Sequence, residues 1–164
     1  MRKILCANLF VLTVLQIANC QEGYFHSLQE AMQQPDSVIS LTLKKNKLKE
    51  FPIEILQMKN IERLDLSRNS IKEIPKEIGN LKNLHYVNVA QNYLSALPKE
   101  MSKLPLDTLI LWDNQIREFD ENFKNNNLKF LDIRAISMTR KEQKAIKQLF
   151  PKARIKKDHP CNCN

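Results

Sequence analysis

Glycine is almost absent: Gly23 and Gly79 are the only two in 164 residues. A dinucleotide fingerprint needs three glycines at fixed spacing, a phosphate-cradling P-loop two within six residues, and a nucleophile elbow two around a serine. None of these can be written here, and no cofactor is expected. Histidine is also scarce. His26, His85 and His159 are scattered over the chain, and none sets a base beside a nucleophile; His85 and Asp107 are positioned for no more than a polar contact across neighbouring strands. Long apolar runs are missing too. The stretch 4–17 is interrupted by Asn8, Thr13 and Gln16 and falls short of the roughly 20 apolar residues that span a bilayer. An apolar fraction of 43% nevertheless separates the chain from disordered sequences and supports one domain with its own core.

What that first stretch does supply is a leader. Met1-Arg2-Lys3 is a basic start and residues 4–17 form an apolar run of secretory-signal length. Ile17-Ala18-Asn19-Cys20 resembles the lipobox of bacterial lipoproteins, which implies cleavage before Cys20 and a lipid on that residue. Asn19 stands where the family has Gly, Ala or Ser. Cleavage after Cys20 is the alternative, since Ala18 and Cys20 are the small residues of an A-x-A-like site. Either route removes Cys6 and leaves Cys161 and Cys163 as the free thiols.

The middle of the chain is a repeat. VISLTLKKNKLKEFPIEILQMKN (residues 38–60), IERLDLSRNSIKEIPKEIGNLKN (61–83), LHYVNVAQNYLSALPKEMSKLP (84–105) and LDTLILWDNQIREFDENFKNNN (106–127) align on Asn46, Asn69, Asn92 and Asn114, which recur at intervals of 23, 23 and 22. A fifth segment, LKFLDIRAISM (128–138), keeps the opening and carries Ile136 in place of the asparagine. The pattern resembles the leucine-rich repeat of the type LxxLxLxxNxLxxLPxEIxxLxx; Ile74-Pro75-Lys76-Glu77-Ile78 and Leu97-Pro98-Lys99-Glu100-Met101 match it closely. The resemblance implies an α/β solenoid, with a parallel β-sheet on its concave side, that binds macromolecules and performs no chemistry.

Elementary chemistry supports the same reading. Leu41 and Leu43, Leu64 and Leu66, Val87 and Val89, Leu109 and Leu111, and Leu131 and Ile133 alternate with other residues, as in a half-buried strand. An asparagine amide at the end of each strand satisfies turn backbone, so the four asparagines are expected to form a structural column. A single repeat cannot bury its own apolar side, so neighbours must stack and both ends need covers. Ser27-Leu28-Gln29-Glu30 and Thr139-Arg140-Lys141-Glu142 have capping-box spacing and open short amphipathic stretches, the second with Ala145, Ile146, Leu149 and Phe150 on one face. The expected organisation is a leader at 1–19, a linker and N-terminal capping helix at 20–37, about five repeats at 38–138, a C-terminal capping helix and strand at 139–158, and a Cys-x-Cys tail at 159–164.

Two further features bear on partners. Residues 21–139 carry 16 basic and 16 acidic side chains, whereas residues 140–164 carry eight and two, so the excess charge sits at the C-terminal end. Such a cluster reads first as a solvated lysine-rich helix and second as an attraction for an anionic surface. Nucleic acid is not an expected partner, because the chain is exported and no aromatics interleave with the basic residues. The variable strand positions turn apolar in the later repeats: strand alternation sends Tyr86, Ile110, Trp112 and Phe130 to the solvent side, with Arg68, Asp113 and Arg134 beside them. The expected function is recognition of a protein partner through this face, by a chain anchored through Cys20 on the periplasmic side or at the cell surface, or otherwise secreted. The same patch serves self-association equally well. The rivals are a thiol- or metal-handling tail, with His159, Cys161 and Cys163 as weak ligands too closely spaced for a structural zinc site, and a purely structural envelope protein.

Overall fold

The computed structural model describes residues 23–158 apart from 118, 122 and 126. The leader, Cys20 and the tail with His159, Cys161 and Cys163 lie outside the described residues. Chain order is β1 (Tyr24–Phe25), α1 (Leu28–Gln33), β2 (Ser40–Thr42), β3 (Arg63–Asp65), β4 (Tyr86–Asn88), β5 (Thr108–Ile110), β6 (Phe130–Asp132), α2 (Arg140–Leu149) and β7 (Arg154–Lys156). The seven strands make one sheet in sequence order, every pair parallel. Register is constant: Leu41, Leu64, Val87, Leu109 and Leu131 lie side by side, each 0% exposed.

Parallel neighbours require a long crossover, and the repeat period supplies one. Pro52, Pro75 and Pro98 each precede a five-residue 3-10 turn (Ile53–Gln57, Lys76–Asn80, Lys99–Lys103). A proline is tolerated there because the first amide of a helical turn has no internal partner. Ile55, Ile78 and Met101 point from these turns into the core and are fully buried. Successive turns stack closely. A Cβ built on Gly79 would lie 2.7 Å from Glu100 Cβ and 3.0 Å from its carbonyl oxygen. Gly79→Ala is therefore expected to lower stability by about 1–3 kcal/mol, read as an earlier urea midpoint, because backbone must shift to admit one methyl group.

Three asparagines close the other corner of the coil. Asn69 donates to the carbonyls of Leu43 and Leu66 (2.9 and 2.8 Å) and accepts from Leu48 N–H (3.1 Å). Asn92 does the same for Leu66, Val89 and Ile71 (each 3.0 Å), and Asn114 for Val89, Leu111 and Leu94 (3.0, 2.7 and 3.0 Å). Asn46 does not share this role; its side chain is exposed. Each amide bridges its own repeat and the one before it, and the segment before Asn46 is β1 and α1 rather than a repeat. A second row of amides lies on the return side: Asn60, Asn83 and Asn125 donate to the carbonyls of Asp36, Lys59 and Leu104 (2.8, 3.1 and 2.9 Å).

The ends differ from expectation in detail. β1 adds a strand to the expected linker and helix; Gly23, at φ +86°, turns its carbonyl to accept from both Ile39 and Ser40 (2.8 Å each). Thr139 and Glu142 form a reciprocal capping box, while Ser27 receives only Glu30 N–H, at 3.5 Å. Ile146 and Leu149 of α2 are buried, but Ala145 is exposed, because the contact stripe is one residue narrower than the apolar run. Phe150, just past α2, meets Phe119 and Phe123 edge-to-face, with ring centroids 5.8 and 5.9 Å away, and those two rings meet each other at 6.3 Å.

Candidate functional site

Side chains opposite the core form in-register rows across the sheet. One row runs Tyr24, Ser40, Arg63, Tyr86, Thr108, Phe130, Arg154; the next runs Thr42, Asp65, Asn88, Ile110, Asp132, Lys156. Tyr86, Ile110, Trp112 and Phe130 are all half-buried here, on three adjacent strands and the turn that follows one of them. Thr108 separates Tyr86 from Phe130 in the first row, and Ile110 occupies the second row between them.

The second row shows why Ile110 stands out. Asp65, Asn88 and Asp132 each accept a hydrogen bond from the backbone N–H two residues on, at 2.8, 3.1 and 3.2 Å. This Asx arrangement ends each strand with its own side chain. Ile110 has no such capacity, so an apolar side chain replaces a local hydrogen-bond acceptor in the middle of a polar row. Departures from a local rule within a regular fold concentrate at functional sites.

Two arginines fix the aromatic rings. The Arg63 guanidinium lies 4.1 Å from the Tyr86 ring centroid, and that of Arg134 lies 5.8 Å from Trp112. Arg134 is itself held by Asp132, Nε to Oδ1 at 2.9 Å and a terminal nitrogen to Oδ2 at 2.7 Å, with the carboxylate only 6% exposed. Burial raises the Tyr86 phenol pKa, and nearby Asp65 pushes it further while Arg63 opposes. The ring therefore stays neutral, its face covered by a cation. Each ring is preorganised, so little rotamer entropy remains to be lost on contact.

Arg68 and Asp113 belong to the turns rather than to the strands. Both have left-handed backbone (φ 59° each), as does Gln91 between them (φ 55°). Arg68 Nε donates to Gln91 Oε1 at 2.8 Å, and Gln91 Nε2 donates to Asp113 Oδ2 at 3.3 Å. The three form a polar rail along the rim rather than separate orienting charges. Arg63 and Asn88 carry no signal of their own in the sequence, and the strand register reveals that they touch Tyr86 and Asp65. His85 and Asp107 do not pair: the imidazole Nδ1 donates to the Asn83 carbonyl, and Asp107 faces Lys129 at 4.0 Å. A further surface lies outside the strand face. Ile53 and Tyr93, 68% and 50% exposed, flank a groove of about 830 Å³ whose rim mixes Lys47 and Lys72 with Glu50 and Glu73.

Residues 36–94 match the leucine-rich-repeat family model. No curated protein matches the sequence. Among solved structures, a leucine-rich-repeat protein of Leptospira interrogans is 35% identical with a TM-score of 0.71 over 80% of this chain. The internalin C2 of Listeria monocytogenes (18% identity, TM-score 0.66, 80% of this chain) and the plant peptide hormone receptor RGFR1 in complex with RGF2 (23%, 0.58, 82%) share the fold. The chain spans 34% of the Leptospira protein, 56% of the internalin and 22% of the receptor chain. Period, asparagine amides, parallel in-register sheet and these likenesses agree: the chain is a leucine-rich-repeat protein.

Proposed function

We propose that this chain is a non-enzymatic binding module that takes a protein partner on its open strand face. The observation that carries the reading is the half-buried group Tyr86, Ile110, Trp112 and Phe130, with two of its rings held under guanidinium groups. Contiguous apolar surface with aromatic and arginine side chains is the composition of an interface centre. Leucine-rich-repeat chains as different as a plant hormone receptor carry a bound peptide partner, which supports the assignment by fold. We further propose export directed by residues 1–19 and anchoring through a lipid on Cys20, which would hold the face close to one membrane surface.

Trp112→Ala combined with Tyr86→Ala is expected to abolish capture of partners from an extract of the source organism, with the circular dichroism spectrum unchanged. Losing two interface anchors costs on the order of 4 kcal/mol, roughly a thousandfold in affinity. An unchanged capture profile would remove this face from consideration. Self-association is read separately by light scattering, where a dimer that the double variant dissociates would make the partner a second copy. Intact mass of the membrane fraction tests the anchor: a chain starting at a diacylglyceryl-modified Cys20 supports it, and one starting at Gln21 refutes it.

A further inference from the structure

Four acids at the outward strand positions and in the turns that follow the strands are already engaged by the chain's own donors. Asp132 holds Arg134, Asp113 accepts from Gln91, and Asp65 accepts from Ser67 N–H and from Asn88 Nδ2 at 3.1 Å. Asp158 takes the backbone N–H of Ala135. The cations divide differently. Arg63 and Arg134 lie against aromatic rings at the centre. Lys44 and Lys45 at the β2 end, and Arg154 and Lys156 on β7, are exposed and form no ion pair or side-chain hydrogen bond among the described residues. At the β2 end the hydroxyl of Ser67, a residue 4% exposed, also lacks a partner among the described residues. The face therefore presents uncompensated positive charge at both ends and an apolar centre between them.

We infer that the occupant of this face is an extended acidic protein segment carrying an apolar side chain between its acids. This inference rests on the protein-binding reading and adds the chemistry of the partner. Five strand spacings separate β2 from β7, about 24 Å, which an extended segment covers in about seven residues. An apolar side chain midway along it meets Ile110 and Phe130, while carboxylates at its two ends reach Lys44 and Lys45 on one side and Arg154 and Lys156 on the other. Charges of this kind steer encounter and fix orientation more than they add affinity, because they stay exposed. The apolar centre supplies the holding energy. The groove beside Ile53 and Tyr93 has no comparable polarity, since both signs alternate along its rim.

The test is selection of a random dodecapeptide display library on the full chain, followed by titration of the enriched peptides. Expected are sequences with acidic ends and an aromatic or branched apolar centre. Their affinity should fall at least about tenfold in the variant Lys44→Glu, Lys45→Glu, Arg154→Glu and Lys156→Glu, and again between low and moderate salt. The charge-reversed variant should recover binding with a peptide whose acids are replaced by lysines, which shows that it is folded. Enriched peptides that are neutral or basic, yet lose binding in Trp112→Ala, overturn the acidic assignment and leave the protein-binding reading standing. No enrichment, or binding indifferent to Trp112→Ala, overturns both. Attachment to phosphatidylglycerol vesicles that needs Lys44 and Lys156, without any acidic peptide enriched, also overturns the inference in favour of a lipid surface.

Discussion

Phe123→Ala is expected to destabilise the protein by about 3–5 kcal/mol, the largest effect of any single change considered, and to advance the urea midpoint accordingly. Phe123 is 1% exposed and Phe150 is fully buried, and both rings stand edge-on to Phe119. Truncation removes the transfer energy of a buried ring and leaves a cavity whose walls are two other rings. Those rings belong to different parts of the chain, one in the return of the fourth repeat and one just after α2, so neither collapses into the space without moving its own segment. The loss should also be local. Stability in a solenoid is a sum of units and nearest-neighbour contacts. Amide hydrogen exchange in β6, α2 and β7 should accelerate more than in β2 and β3. Uniform acceleration along the whole sheet would show that the three rings are not the joint described here.

Asn92→Leu should cost about 2–3 kcal/mol although the two side chains have nearly the same shape. The amide is 5% exposed and fills four roles: it donates to the Leu66, Val89 and Ala90 carbonyls and accepts from Ile71 N–H. Leu66 and Val89 retain a second amide, from Asn69 and Asn114 respectively. Ile71 N–H has no such substitute, and a buried amide left without an acceptor costs about 1–3 kcal/mol by itself. Asn46→Leu supplies the contrast. Its side chain is exposed, so the change should stay within about 0.5 kcal/mol. Thermal melts of the two variants decide the matter: equal shifts would mean that repeat position, rather than hydrogen bonding, sets the value of these asparagines.

That contrast also shows where reading residues alone runs out. Asn46 fits the motif as well as Asn92 does, but the motif describes one repeat and part of the amide's work lies in the repeat before it. The strands β2 to β6 were legible because apolar residues recur in each of them at the same two positions. β1 was not, because two residues cannot display alternation, and Gly23 and Phe25 acquire meaning only beside Ile39 and Leu41. The left-handed residue ahead of each asparagine, and ahead of Ile136 in the fifth segment, was hidden in another way. Lys45, Arg68, Gln91, Asp113 and Ala135 stand there, none of them the glycine that signals such a conformation, and the backbone bond each makes to the next repeat holds it in place through Asp113. On the strand face, alternation placed Tyr86, Ile110, Trp112 and Phe130 on the side away from the core. It did not pair Arg63 with Tyr86 or Asp132 with Arg134, since the first is a matter of register and the second of which way a long side chain folds.

The asparagine amides point one way along the chain, each shared with the repeat that came earlier. A polypeptide made from its N-terminus acquires them late. When residues 61–83 have emerged, the Leu66 carbonyl has only the Asn69 amide, and the Ile71 N–H still awaits an asparagine 21 residues downstream. Every unit is thus provisional until its successor arrives, and the growing end stays loose while the stretch behind it locks. Maturation in such a molecule travels as a front, one coil behind the newest residues, and a stalled or truncated product would be left with its last coil open to proteases.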